Sequence, residues 1–218
     1  MLQIKKGKEP KALQEYRCQG GKKFDEMKCK GELRSALLKE QGYLCAYCMK
    51  RIHDNSNEVR IEHYEKRTPQ NEVEYNNLFA TCSGGYGGDP RRFTCDNKKG
   101  DRKLHIDPRK KEDIDTITYL QTGEIQSSNE DFQKDFDDIL NLNDPYGFLI
   151  PGRKTALLTV KKRLSNYGKK GNDQHVRTQA KKILENYRSK NAKGAYPEYA
   201  GIIIWYLERK MTQWEGQK

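Results

Sequence analysis

The chain has 218 residues, a formal charge of +11 and a mean hydropathy of −1.08, with hydrophobic and charged residues almost balanced at 34% and 33%. So polar a chain has a modest core, yet its 13 Tyr, 6 Phe and 2 Trp exclude a wholly disordered polyelectrolyte. The longest apolar run, GIIIWYL at residues 201–207, is too short to span a bilayer, and MLQIKKGKEP contains no apolar leader, so a cytoplasmic protein with no membrane partner is expected.

Residues 1–30 show no sustained periodicity, and KKGKEP reads as extended. ELRSALLKEQG then sets Leu33, Leu37 and Leu38 at helical spacing, with Gly42 as the stop. Residues 1–40 are therefore taken as an N-terminal segment and helix, suited to docking a partner. A β-prone run, Val59, Arg60 and Ile61, ends at Glu62-His63, and residues 64–73 form a loop around Thr68-Pro69. YNNLFATC reads as a short helical turn or an irregular strand. The Gly-rich CSGGYGGDPRRFTC follows no phosphate-cradle pattern and reads as plain loop, after which DNKKGD opens a helix.

TITYLQTGEIQ has the pattern of a β-hairpin turning at Thr122-Gly123. Beyond it the chain turns helical. Phe132, Phe136, Ile139 and Leu140 share one face, as do Leu157, Val160 and Leu164, then Val176, Ala180, Ile183 and Tyr187, before the last apolar segment EYAGIIIWYL. The expected fold class is α+β, with a small mixed core over residues 41–108 and a hairpin plus helical region over residues 109–218.

Charge is unevenly spread. Residues 112–144 are rich in acid, whereas residues 153–193 are dense in Lys and Arg with only Asp173 and Glu185 opposing them. A basic balance of this kind suits a polyanion such as nucleic acid, because neutralising phosphates releases counterions. A solvated lysine face is the competing reading of the same residues.

Cysteine usage is more specific. In a reducing compartment a Cys45-x-x-Cys48 pair favours metal over disulfide, since two thiolates on one turn can both point at one ion. A tetrahedral zinc site then needs two further sulfurs, which Cys82 and Cys95 offer across the Gly-rich loop. The competing reading is four incidental buried thiols. Cys18 and Cys29 are left as free thiols. Between the two pairs stands Glu62-His63, with Asn77 ahead of Cys82, Asp96 directly after Cys95, and Lys99 three residues further on. His53, His105 and His175 fall outside this constellation and read as surface or capping residues.

In that order, these residues resemble the HNH endonuclease family with its ββα-metal fold. The resemblance implies a structural zinc on Cys45, Cys48, Cys82 and Cys95 that staples a hairpin to a helix. It also implies His63 as general base, Asn77 as its orienting residue, and Glu62 with Asp96 as ligands of a catalytic Mg²⁺ or Mn²⁺. The third motif position holds Asp96 where the family has His or Asn, so neighbouring Asn97 remains an alternative ligand. Lys66, Arg67 and Lys99 would hold flanking phosphates. The segments LLKEQGYLCAYCMKRI, RIEHYEKRTP with YNNLFATCSG, and CDNKKGDRKLHIDP look similar to PtuB-type HNH nucleases of Septu and retron anti-phage systems. So does a downstream pattern of Gly123-Glu124-Ile125, then Ile139 to Asn143, then Arg153. The likeness covers about two thirds of the chain. It implies cleavage of nucleic acid, DNA being the first expectation and RNA the alternative, and a PtuA-type ABC/SMC-like ATPase partner, joined in retrons by a reverse transcriptase and its RNA–DNA product. The alternative from another class is a zinc-stabilised nucleic-acid-binding or adaptor protein without catalysis.

Overall fold

The computed structural model describes residues 1–85 and 88–216. The first helix, α1 (Lys11–Cys18), corrects the reading of residues 1–30: only Leu13 in it is fully buried, too little apolar periodicity to register in sequence. Helix α2 (Lys30–Gln41) buries the expected Leu33, Leu37 and Leu38 and stops at Gly42, whose φ of 63° lets its N–H return to the Leu38 carbonyl.

The chain then makes a tight knuckle. The Cys45 N–H donates to the Lys50 carbonyl and the Met49 N–H donates to the Cys45 carbonyl, with Met49 itself at φ 63°. Strands β1 (Val59–His63) and β2 (Leu78–Cys82) pair antiparallel, Val59 opposite Cys82 and His63 opposite Leu78. YNNLFATC is thus a 3-10 turn at Tyr75–Asn77 followed by a strand. Every residue of β2 is buried, because α2 covers one face and the knuckle docks at its edge: the Ala46 N–H donates to the Ala80 carbonyl, and buried Gln41 bonds both the N–H and the carbonyl of Ala80. Within the Gly-rich loop that follows, Tyr86 and Gly87 lie outside the described residues. Helix α3 (Cys95–Lys99) then opens at Cys95.

Helix α4 (Lys111–Asp115) precedes a second hairpin of β3 (Ile117–Tyr119) and β4 (Ile125–Ser127). Its turn needs Gly123, at φ 108°, where an added Cβ would stand 2.5 Å from the Ile150 carbonyl oxygen. The predicted helix over residues 129–142 is only partly regular. Helix α5 (Glu130–Lys134) gives way to a wide π-type turn at Asp135–Ile139, in which the Leu140 N–H donates to the Asp135 carbonyl, while the buried Asp135 carboxylate accepts the N–H groups of His105 and Ile106 at 2.6 and 2.8 Å. Helices α6 (Leu149–Lys170), α7 (Asp173–Arg188) and α8 (Ala200–Glu215) complete the molecule. Asn172 caps α7, accepting the His175 N–H at 2.9 Å.

The fold class is therefore α+β, with two small antiparallel sheets among the described residues. One buried cluster runs from Met1 to Leu207 and draws on all three expected regions. No helix among the described residues is long and apolar enough to cross a membrane.

The downstream pattern read from sequence converges on one buried cation. Arg153 donates to the Gly123 carbonyl at 2.5 Å, the Leu142 carbonyl at 2.6 Å and Asn143 Oδ1 at 3.3 Å, while Asn143 bonds both the N–H and the carbonyl of Ile125. The same segment reaches the start of α3, since the Cys95 N–H donates to the Leu140 carbonyl. Arg153→Leu would strand at least two buried carbonyls at ~1–3 kcal/mol each. Thermal unfolding is expected to show a loss of about 3 kcal/mol or more; a variant as stable as wild type would contradict this role.

Candidate active site

The four predicted cysteines meet. Cys45 and Cys48 come from the knuckle, Cys82 from the end of β2 and Cys95 from the start of α3, and their four sulfurs lie within 4.8 Å of one another, all buried. Cys45 and Cys95 sulfurs are 3.7 Å apart, those of Cys48 and Cys82 3.8 Å. A tetrahedral zinc thiolate with Zn–S bonds of ~2.3 Å has edges of about 3.8 Å, which the Cys45–Cys95 and Cys48–Cys82 pairs match, so the four thiols could hold a zinc ion. Burial opposes ionisation of Cys45, yet hydrogen bonds from Cys48, Cys82 and Cys95 hold its thiol well below the usual range; Cys48 and Cys95 are pushed up by the same neighbours. A shared negative charge on four packed sulfurs is what a cation would settle. Cys18 and Cys29 stand apart from this group.

The second constellation lines a cleft of about 550 Å³ between β1, the start of α2 and α3, into which Glu62, His63 and Asp96 all face. Adjacent strand residues ordinarily point to opposite faces. Here His63 ends β1, where the chain turns away at Tyr64, and both side chains reach the cleft.

His63 has a defined tautomer. Its Nε2 is 2.9 Å from the Glu72 carbonyl, which can only accept, so Nε2 carries the hydrogen; Nδ1 keeps a lone pair and accepts from Arg67 Nε at 3.2 Å. Burial, and then the Arg67 charge, lower its pKa below the ordinary histidine value, which keeps it neutral at pH 7. The Phe24 ring packs edge-on against it at 4.8 Å.

Among the described residues the Asn77 side chain makes no hydrogen bond to His63. Its Oδ1 accepts the Glu65 N–H at 2.8 Å and its Nδ2 donates to the Glu65 and Asn71 carbonyls at 3.2 and 3.4 Å, while the Tyr64 N–H donates to the Asn77 carbonyl. It clamps the loop between the strands, and that loop supplies the Glu72 carbonyl that fixes the imidazole.

Glu62 is 4% exposed and sits against the Asp96 carboxylate. Burial, reinforced by Asp96, pushes its pKa up to about 9 against the opposing pull of Lys99. Lys99 Nζ lies 2.7 Å from Glu62 Oε1, and the Tyr47 hydroxyl donates to the same oxygen at 3.2 Å. Two carboxylates facing one buried ammonium leave a charge deficit that a proton fills in the metal-free protein and a divalent cation could fill instead.

Two expectations about phosphate-holding residues change. Lys99 is 2% exposed and bonds Glu62 and the His63 and Gly100 carbonyls, so it braces the site from inside and presents no charge at the surface. Arg67 is placed on His63 Nδ1 and on Asp25, and only Lys66, loosely paired with Asp101 at 3.7 Å, projects freely from the cleft wall. Asn97 also borders the cleft, and its Nδ2 is a buried donor with no partner. His53 pairs with Glu58 and His105 with Asp135, outside the cleft as expected.

Sequence reasoning missed Tyr47, Phe24 and Glu72. Tyr47 lies inside Cys45-x-x-Cys48, but nothing in the spacing marks its hydroxyl, and Glu72 acts through a backbone carbonyl that any residue would supply. No family model matches this chain, and no curated protein does either.

Structural zinc sites contribute ~10–16 kcal/mol, comparable to the ~5–15 kcal/mol total stability of ordinary domains. Stripping metal with a zinc chelator is therefore expected to release one zinc per chain and unfold the region around the knuckle, followed by circular dichroism. Cys82→Ser should do the same without chelator. A metal-free protein with unchanged melting would contradict the assignment.

Proposed function

We propose that the chain is a metal-dependent endonuclease of the HNH class, a ββα-metal unit in which β1, β2 and α3 carry the chemistry and the cysteine cluster holds them together. The observation that carries this reading is the neutral His63, its Nδ1 lone pair met by Arg67, lining the same cleft as the Glu62–Asp96 carboxylate pair. Basic residues at the walls, Lys30, Arg34, Lys66 and Arg67, suit a phosphodiester substrate. Following the resemblance, the substrate is DNA, the setting a Septu or retron anti-phage system, and the partners a PtuA-type ATPase and, in retrons, a reverse transcriptase.

Hydrolysis forms a bond between water oxygen and phosphorus and breaks the bond to the 3′ oxygen. His63 Nδ1 takes the proton of the attacking water, the Nε2–H held on the Glu72 carbonyl fixing the ring while it does so. Arg67, which occupies that lone pair in the free protein, turns to the incoming phosphate, so substrate arrival frees the base. Glu62 and Asp96 would hold Mg²⁺ or Mn²⁺, which would supply neutralisation of the negative charge that develops in hydrolysis. Lys99 and Tyr47 keep Glu62 aimed at that position. The leaving 3′ oxygen takes a proton from solvent water and His63 returns its proton to solvent, so the products are a 5′ phosphate and a 3′ hydroxyl.

The test is plasmid nicking by zinc-loaded protein with Mg²⁺ or Mn²⁺, with and without the ATPase partner. Wild type is expected to cut, and His63→Ala to lose ~10²-fold or more in rate at unchanged melting temperature. Equal behaviour of the two would favour the non-catalytic zinc module, in which the Glu62–Lys99 pair is merely a buried ion pair.

Binding of the catalytic ion requires Glu62 to lose the proton it holds up to about pH 9. Affinity for Mn²⁺ should therefore rise with pH by close to tenfold per unit up to about pH 9, then level off, with about one proton released per ion. A pH-independent affinity in calorimetry between pH 6 and about 9 would place the ion elsewhere.

A further inference from the structure

The net charge of the chain is confined to one structural unit. Residues 149–193, which hold α6 and α7, carry 13 Lys and Arg against only Asp173 and Glu185, a surplus of 11. The remaining residues carry 29 basic and 29 acidic side chains, so the formal +11 of the whole chain is the charge of this stretch, of which Lys190 and Lys193 follow α7.

Helix α6 contains no acidic residue in its 22 positions. Its inner side, Leu157, Val160 and Leu164, is buried. At about 100° per residue, Lys154, Lys161, Lys162 and Lys169 fall within an arc of roughly 100° on a different side of the helix. Lys154, Lys162 and Lys169 are exposed and Lys161 is half-buried. None of the four is in an ion pair among the described residues; Lys161 reaches only the Gln121 side-chain oxygen and the Tyr206 ring. The whole stretch makes one ion pair among the described residues, Arg188 with Glu208 at 2.5 Å. Exposed Lys181 and Lys182 on α7 add two further cations, neither ion-paired among the described residues although Glu185 is one turn away.

Like charges stacked along one helix face destabilise it. Here no acid on the helix relieves them, although the rest of the chain is balanced. The counter-charge is therefore external. None of these lysines lines the catalytic cleft, whose walls come from residues 24–34, 56–67 and 96–101.

We propose that the lysine face of α6, extended by α7, is an exosite that grips the phosphate backbone of the nucleic acid cut in the cleft. That the polyanion is a nucleic acid rests on the nuclease reading of the cleft. From Lys154 to Lys169 the stripe is about 22 Å long at ~1.5 Å per residue, enough to pass about six phosphates of one strand at ~3.4 Å each. Lysines separated by Leu158 and Ser165 offer no fork for base edges, so the grip is independent of sequence and of divalent metal.

The test is fluorescence anisotropy of a labelled random-sequence duplex against the full zinc-loaded chain, in magnesium-free buffer across a salt series. The variant Lys154→Gln, Lys161→Gln, Lys162→Gln, Lys169→Gln is expected to reduce the slope of log K against log salt by about 3 to 4 and to weaken binding at least tenfold at ~0.1 M salt. The double variant Lys162→Gln, Lys169→Gln should lose about half that slope, which keeps the test intact should the fourfold variant fold poorly. Replacing four exposed lysines of the neutral remainder, Lys8, Lys22, Lys28 and Lys50, by Gln should change the slope by less than about 1. An unchanged slope in the helix variants, or an equal loss in the control, overturns the exosite. So does a wild type that binds no duplex but binds polyglutamate, which would make the face a dock for an acidic protein. Because binding is read without cleavage, loss of nicking with the slope intact would count against the nuclease reading alone.

Discussion

Four sulfurs brought within 4.8 Å of one another set the geometry on which the region around the cleft depends. They come from three pieces of chain that have little other reason to meet: a knuckle, the last residue of a five-residue strand and the first residue of a five-residue helix. Strands and helices this short are not stable alone, and a two-stranded hairpin is marginal in water. Packing helps, since α2 covers β2 and Gln41 satisfies its edge. The sulfur cluster ties α3 to the end of β2 and to the knuckle, Lys99 ties it to β1, and α3 carries Asp96 and Lys99.

The cluster and the cleft are mechanically joined by polar groups that leave almost nothing unsatisfied. Tyr47, from within the cysteine knuckle, bonds the same Glu62 oxygen that Lys99 approaches from α3. Lys99 also bonds the His63 carbonyl, and Asn77 clamps the loop whose Glu72 carbonyl orients the imidazole. A shift of α3 would therefore be felt at both carboxylates and at the histidine together. In the proposed enzyme this division lets zinc hold shape while Glu62, His63 and Asp96 handle substrate.

Much of this was legible in the sequence, for physical reasons. The cysteines were readable because metal ligation imposes spacing, and Leu33, Leu37 and Leu38 because a buried helix face imposes a 3.6-residue period. The hairpin at Gly123 was readable because only glycine tolerates its φ beside the Ile150 carbonyl. What failed to show was set by tertiary context. Lys99 looks like any surface lysine until α3 folds it inward onto Glu62, and Asp135 looks helical until it is spent on the backbone of His105 and Ile106. Arg153 marked a pattern whose meaning, a buried cation joining Gly123, Leu142 and Asn143, needed coordinates.

The central claim is that two metals occupy two chemically distinct sites with separate roles. Crystals of the zinc-loaded chain soaked in Mn²⁺, with anomalous maps collected at the zinc and manganese edges, test it most directly. The account predicts one zinc peak among Cys45, Cys48, Cys82 and Cys95 and one manganese peak between Glu62 and Asp96, close to His63. A map with no zinc among the sulfurs, or with manganese absent from the carboxylate pair and Lys99 still on Glu62, would contradict it.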